Sequence, residues 1–129
     1  CNWSFAPIVD IDYNFLNPIT NIRTYGSNQE TIIKFADCQI EALKENHILP
    51  CIKHFPGDGV DMRDQHLLSS VNDLTVNKWN NSYGKIYQHF INNGIGSIMV
   101  GHILLPHYIK EILNAMKKTI CQQVYQKRF

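Results

Sequence analysis

The sequence predicts an α/β fold with parallel strands in the order βαβαβα, and three observations predict it. Apolar runs at residues 3–11, 48–53 and 95–100 lack the alternation of a half-solvated strand, as expected for strands covered on both faces. Between them lie stretches whose apolar residues recur at helical spacing. Polar residues suited to chemistry, namely Lys53, His54 and His102, with Asp10 near the first strand's end, fall at or just after the ends of strands, where parallel barrel enzymes carry their sites.

Taken in order, Trp3 to Ile11 reads as the first strand. Ser27-x-x-Glu30 resembles a capping box and opens a helix with Ile32, Ile33, Ala36, Ile40 and Leu43 on one face. Leu49 to Lys53 is the second strand. A helix from Asn77 buries Trp79, Tyr83, Ile86 and Phe90 as core, and Gly94 stops it. Ile95 to Val100 is the third strand, and a last helix runs from about Tyr108 to Gln126. This order implies right-handed crossovers.

Composition narrows the partners. Twelve Lys and Arg against eleven Asp and Glu leave no field for nucleic acid. The Lys117-Lys118 and Lys127-Arg128 pairs read as a solvated helix face and tail. No apolar run of membrane-spanning length occurs. Cys1, Cys38, Cys51 and Cys121 have no Cys-x-x-Cys spacing, which speaks against a zinc site or redox pair, and no cofactor is expected. Cys38 and Cys51 read as buried small apolar residues. Unpaired cysteines favour a cytoplasmic setting, with secretion and lipid anchoring left open.

Residues 53–66, Lys-His-Phe-Pro-Gly-Asp-Gly-Val-Asp-Met-Arg-Asp-Gln-His, hold the densest chemistry. Gly57 and Gly59 are suited to positive φ or to close passage of backbone past a ligand. In an extended segment Asp64 and His66 share a side, so the carboxylate can hold the imidazole in one tautomer for general acid–base work. His54, Asp58, Asp61, Asp64 and His66 are also a donor set able to ligate Mn, Mg or a softer divalent ion. A bland reading stands beside both: a loop ion pair, a solvated lysine and a satisfied core histidine. Asp10 and His102 read as supports, and His47, His89 and His107 as ordinary surface or helix-end residues.

The pattern Lys53-His54-Phe55-Pro56-Gly57, Gly59, then Asp64-Gln65-His66 resembles the signature of glycoside hydrolase family 3. It is most similar to the β-N-acetylhexosaminidase branch, whose pattern is Lys-His-Phe-Pro-Gly-His-Gly-x4-Asp-Ser/Thr-His. Phe5-Ala6-Pro7-Ile8-Val9-Asp10, Asn21-Ile22-Arg23-Thr24-Tyr25-Gly26 and Ile98-Met99-Val100-Gly101-His102 match further segments in the right order. The resemblance implies a (β/α)8 barrel and a retaining hydrolase of terminal β-N-acetylglucosaminides, with a carbohydrate substrate as partner. It implies that Arg23, Lys53 and His54 grip the sugar, and that Asp64 and His66 form an acid/base pair. No metal is implied.

The sequence departs from that pattern in two ways. Asp58 stands where the family usually has histidine. The family nucleophile is an Asp after a later strand, and no Asp follows Asp73 here. A full barrel needs roughly 250 residues, so residues 1–129 read as part of the family's N-terminal domain, weakly active or inactive alone. A non-catalytic sugar-binding domain, a metal-binding domain and a phosphorylase of the same fold remain alternatives.

Overall fold

The computed structural model describes the backbone of residues 1–126 and the side chains of residues 1–116. The side chains of Lys117, Lys118 and Cys121, and all of Lys127 and Arg128, therefore lie outside what is described. The strands are parallel. β1 (Trp3–Ser4), β2 (Leu49–Phe55) and β4 (Ser97–Val100) form one sheet in the order β1-β2-β4. A second parallel pair joins β3 (Ser70–Val71) to β5 (Ile103–Leu104).

The first strand is shorter than its sequence predicts. Regular pairing ends at Ser4; the Cys51 amide still donates to the Ala6 carbonyl at 3.0 Å, and beyond Pro7 the single bridge Ile8↔Lys53 continues the contact with β2. Proline brings no N–H to a ladder, so an apolar run containing one need not pair throughout. Val9 still donates to the Lys53 carbonyl at 2.9 Å, which keeps the segment beside β2. From there Val9, Ile11 and Asp10 enter the interior, all with 0% exposure.

α1 (Gln29–Glu45) begins one residue later than the capping-box reading places it. Asn28 is the N-cap, and its side chain accepts from the Thr31 amide at 3.0 Å. Ile32, Ala36 and Ile40 are buried on one face of this helix, and Ile33 packs partly against them. Cys38 is exposed, against expectation, because it lies off that face; Cys51 in β2 is buried as expected. The helix ends at Asn46, and His47 takes a left-handed φ of 56° to turn the chain into β2.

The predicted second helix is two helices, α2 (Val76–Asn80) and α3 (Tyr83–Asn92). Ser82 interrupts them: its hydroxyl bonds the Lys78 carbonyl at 2.7 Å, and its backbone leaves helical geometry. The break preserves the facing of Trp79, Tyr83, Ile86 and Phe90, all buried in the core with Val9, Ile11, Ile32 and Ile52. After Asn93, Gly94 takes a φ of 68° and its amide bonds the Ile91 carbonyl, ending α3 as predicted. α4 (Pro106–Gln126) closes the described chain, with Tyr108 edge-on to Trp79 at 5.2 Å between centroids.

Candidate active site

The site is built where β2 meets the turn that follows it. The Lys53–His54 and Phe55–Pro56 peptide bonds there are cis. Asp10 is the organising group and is fully buried. Its carboxylate accepts from the His54 amide at 3.0 Å, from the Asp58 amide at 2.8 Å, and meets His54 Nδ1 at 2.6 Å. A buried carboxylate with three such partners has its charge met and fixes the ring that it holds. His54 is thus a histidine held through Nδ1, itself only 6% exposed.

The two glycines of the turn do what the sequence suggests. Gly57 has φ +119°, and a Cβ there would lie 2.3 Å from the Tyr83 ring. Gly59 has φ +103°, and a Cβ there would lie 2.0 Å from the Ile11 carbonyl oxygen. Both need backbone freedom and the missing side chain together. The turn is held from below: Tyr83 Oη donates to the Asp58 carbonyl, Trp79 Nε1 to the Pro56 carbonyl at 2.7 Å, and Asn72 Nδ2 to the Gly57 carbonyl at 3.0 Å.

Asp58 is buried at 1% exposure and its carboxylate is fully engaged. Oδ1 accepts from Asn17 Nδ2 at 2.8 Å and the Gly59 amide at 2.7 Å, and Oδ2 accepts from Gln65 Nε2 at 2.6 Å. Burial pushes the Asp58 carboxyl up from its ordinary range, opposed by the Gly59 amide. Gln65 in turn accepts from the His102 amide through Oε1 at 3.1 Å. Gly101 leaves the room for this, since a Cβ there would stand 2.6 Å from Gln65 Oε1 and 3.1 Å from His54 Cβ. The loop bearing the candidate dyad therefore comes down beside His54.

Asp64 and His66 are paired, with Oδ1 and Nδ1 2.7 Å apart. The pairing does not come from an extended segment. Residues 65–67 form a turn, and Asp64 Oδ1 also accepts from the His66 amide at 2.8 Å. One side-chain oxygen bonds the amide two residues on and the ring of that same residue. The hydrogen bond from the His66 amide, followed by that from its ring, holds the Asp64 carboxyl below its usual range. The His66 side chain is 62% exposed, so the ring stands open to an incoming molecule. Asp61 anchors the loop base, accepting from Arg63 Nε at 2.7 Å and from the Val71 amide at 2.8 Å.

Lys53 and Arg23 are brought near each other. Burial of Lys53, and then the Arg23 charge, lower the Lys53 pKa, while Asp10 acts in the opposite sense. Arg23 is exposed and bonds the Ile19 carbonyl at 3.3 Å. The metal-ligand set is not gathered. His54 turns to Asp10, Asp58 to Asn17 and Gln65, and Asp61 to Arg63. Among the described residues no group of three or more His, Cys, Asp or Glu side chains is placed to hold an ion.

Sequence reading missed Asn17 and Gln65. Asn17 gave no signal beyond the Asn-Pro dipeptide, but Gln65 stands where the related pattern has Ser or Thr. That difference lies beside the Asp58 difference, and in space the two residues touch.

The sequence model of the glycosyl hydrolase family 3 N-terminal domain matches residues 1–128. The chain belongs to glycosyl hydrolase family 3. Its family 3 relatives include a β-N-acetylglucosaminidase/β-glucosidase of Cellulomonas fimi, 49% identical over 111 residues, covering 86% of this chain and 20% of that protein. A β-hexosaminidase A of Pseudoalteromonas piscicida is 32% identical over 106 residues, covering 81% of this chain and 18% of that protein. Among solved structures, the β-glucoside phosphorylase BglX superposes with a TM-score of 0.81 at 52% identity, covering 82% of this chain and 19% of that one. The chain thus spans about a fifth of the length of these relatives. Its parallel strands and helices are part of the family's barrel. No described helix is long and apolar enough to cross a membrane.

Proposed function

We propose that residues 1–129 are part of a family 3 barrel domain and supply the sugar grip and proton-transfer pair of a retaining β-N-acetylhexosaminidase acting on terminal β-N-acetylglucosaminides. The observation that carries this reading is the Asp64–His66 pair at 2.7 Å, on a loop tied beside His54. Asp64 occupies Nδ1 and so directs Nε2 outward as the proton-carrying atom. His66 protonates the departing glycosidic oxygen while a carboxylate from outside these residues attacks the anomeric carbon. It then takes a proton from the water that resolves the covalent intermediate. Lys53, His54 and Arg23 hydrogen-bond the sugar hydroxyls. The relatives named for β-N-acetylglucosaminidase and β-hexosaminidase activity support the substrate class.

The test is turnover by the intact protein on two N-acetylglucosaminides, one with a poor and one with an activated leaving group. His66→Ala is expected to cut the rate on the poor leaving group by roughly 10²–10⁴-fold, and the rate on the activated one by far less. Equal losses on both would remove His66 from the acid role.

A second reading is phosphorolysis of β-glucosides, favoured by the 52% identity to a β-glucoside phosphorylase. A histidine acid/base repels an incoming anion less than a carboxylate does. Inorganic phosphate separates the readings: sugar 1-phosphate as the main product supports phosphorolysis, and free sugar at every phosphate concentration supports hydrolysis.

A further inference from the structure

We infer that Asp58 and Gln65 are a pair of positioning residues which together clamp the Asp64–His66 dyad beside the end of β2. Gln65 sits between the two dyad members in sequence, so fixing its side chain fixes the turn that carries both. Its amide group is held at both ends: Nε2 donates to Asp58 Oδ2 at 2.6 Å, and Oε1 accepts from the His102 amide at 3.1 Å. Asp58 is itself immobilised. Its amide is bound to Asp10, its carbonyl to Tyr83, and its other carboxylate oxygen to Asn17 and Gly59. The dyad is thereby referred, through two side chains, to the same Asp10 that orients His54.

The geometry also explains why these residue types belong together. The Asp58 carboxylate receives donors at both oxygens, so its partner at position 65 has to donate. The His102 amide is a donor, so the same partner has to accept at its other end. Glutamine offers one donor and one acceptor group at the required reach. The serine or threonine of the related pattern is too short to span both contacts. Positions 58 and 65, which differ from the residues of the motif running from Lys53 to His66, are the two ends of one hydrogen bond.

The inference rests on reading Asp64–His66 as the proton-transfer pair, but its test does not depend on that. In Asp58→Asn, a side-chain amide donor faces the Gln65 donor. In Gln65→Glu, two carboxylates face each other. In the double variant Asp58→Asn/Gln65→Glu, the side-chain amide now at position 58 donates to the carboxylate now at position 65. That carboxylate still accepts from the His102 amide. The bond is restored with its donor and acceptor exchanged. Hydrogen exchange of the His102 amide, whose partner is Gln65, and of the Leu67 and Leu68 amides reads loop closure without substrate.

Each single variant is expected to speed exchange at these amides about tenfold or more, and the double variant to bring it back close to the parent rate. In turnover on the poor leaving group, the singles should lower kcat more than they change KM, and the double should recover it. If a single variant does not fold, Gln65→Ala removes the contact without adding a charge and should open the loop to the same degree. Unchanged exchange in the single variants, or losses that add in the double, would overturn the clamp. Restored exchange without turnover in any form would instead count against the acid/base reading and leave the clamp standing.

Discussion

At the scale of single residues, the site depends on two buried carboxylates with different tasks. Asp10 is met by two amides and the His54 ring; Asp58 is met by three donors on two oxygens. Burial raises the Asp58 pKa above the value of about 3.9 for an exposed aspartate. The sign of the linkage follows. A raised folded-state pKa gives stability that is complete below the unfolded value and is lost as pH rises through the folded one. Asp10, His54 and Tyr83 are the titratable groups facing it. The melting temperature of the parent minus that of Asp58→Asn is therefore expected to fall as pH rises from about 4 toward neutrality. A difference that grows over the same range would mean that the surrounding donors outweigh burial. The residue types of this site were legible because Lys53, His54, Asp64 and His66 lie in one short stretch. Asn17 and Gln65 were not, because amide side chains occur throughout the sequence and only folding reveals which one meets a buried charge.

At the scale of elements, the turn between β2 and the dyad loop is the critical part. Gly59 admits no substitute in its present path: its φ is +103° and the Ile11 carbonyl occupies the space a Cβ would need. Gly59→Ala is expected to destabilise the fold by more than about 1 kcal/mol, measured by denaturant unfolding. A neutral result would mean that the turn relaxes at little cost. Periodicity gave the existence of α1 and α3, since each buries one face, and unalternating apolar runs gave the two longer strands. It did not give the break at Ser82, because Trp79, Tyr83, Ile86 and Phe90 face the core on both sides of it. Nor did it give the Ser70–Val71 pairing with Ile103–Leu104, which are two-residue strands whose contact is non-local. That pairing matters for the site, because it ties the end of the dyad loop to the segment after β4.

At the scale of the whole molecule, the described residues leave much apolar surface uncovered. Among the described residues β4 pairs only with β2, and Val100 on it is 72% exposed. Ile109, Ile112, Leu113 and Met116 are exposed along α4. Phe55 and Ile91 are exposed beside an open cleft on the helical side. Unpaired strand edges and broad apolar faces drive association. Residues 1–129 expressed alone are expected to self-associate, read by light scattering after size exclusion, and to turn over little substrate. A monodisperse monomer would mean that these faces are compatible with water. The barrel class was legible because parallel strands covered on both faces leave an unalternating apolar pattern. Which apolar faces stay open was not, because an exposed apolar residue reads in sequence like any core residue.

The hydrogen bond from Trp79 to the Pro56 carbonyl has an optical consequence. The chain has two tryptophans, and the other, Trp3, is 47% exposed on β1. Trp79 is nearly sealed and its indole N–H is fastened to the backbone of the turn that leads into the dyad loop. With Trp3 replaced by phenylalanine, the emission of the protein becomes a single-site signal from beneath that turn. The molecule thus carries its own fluorescent gauge of whether Pro56–Gly59 sits as described, readable in dilute solution and in real time.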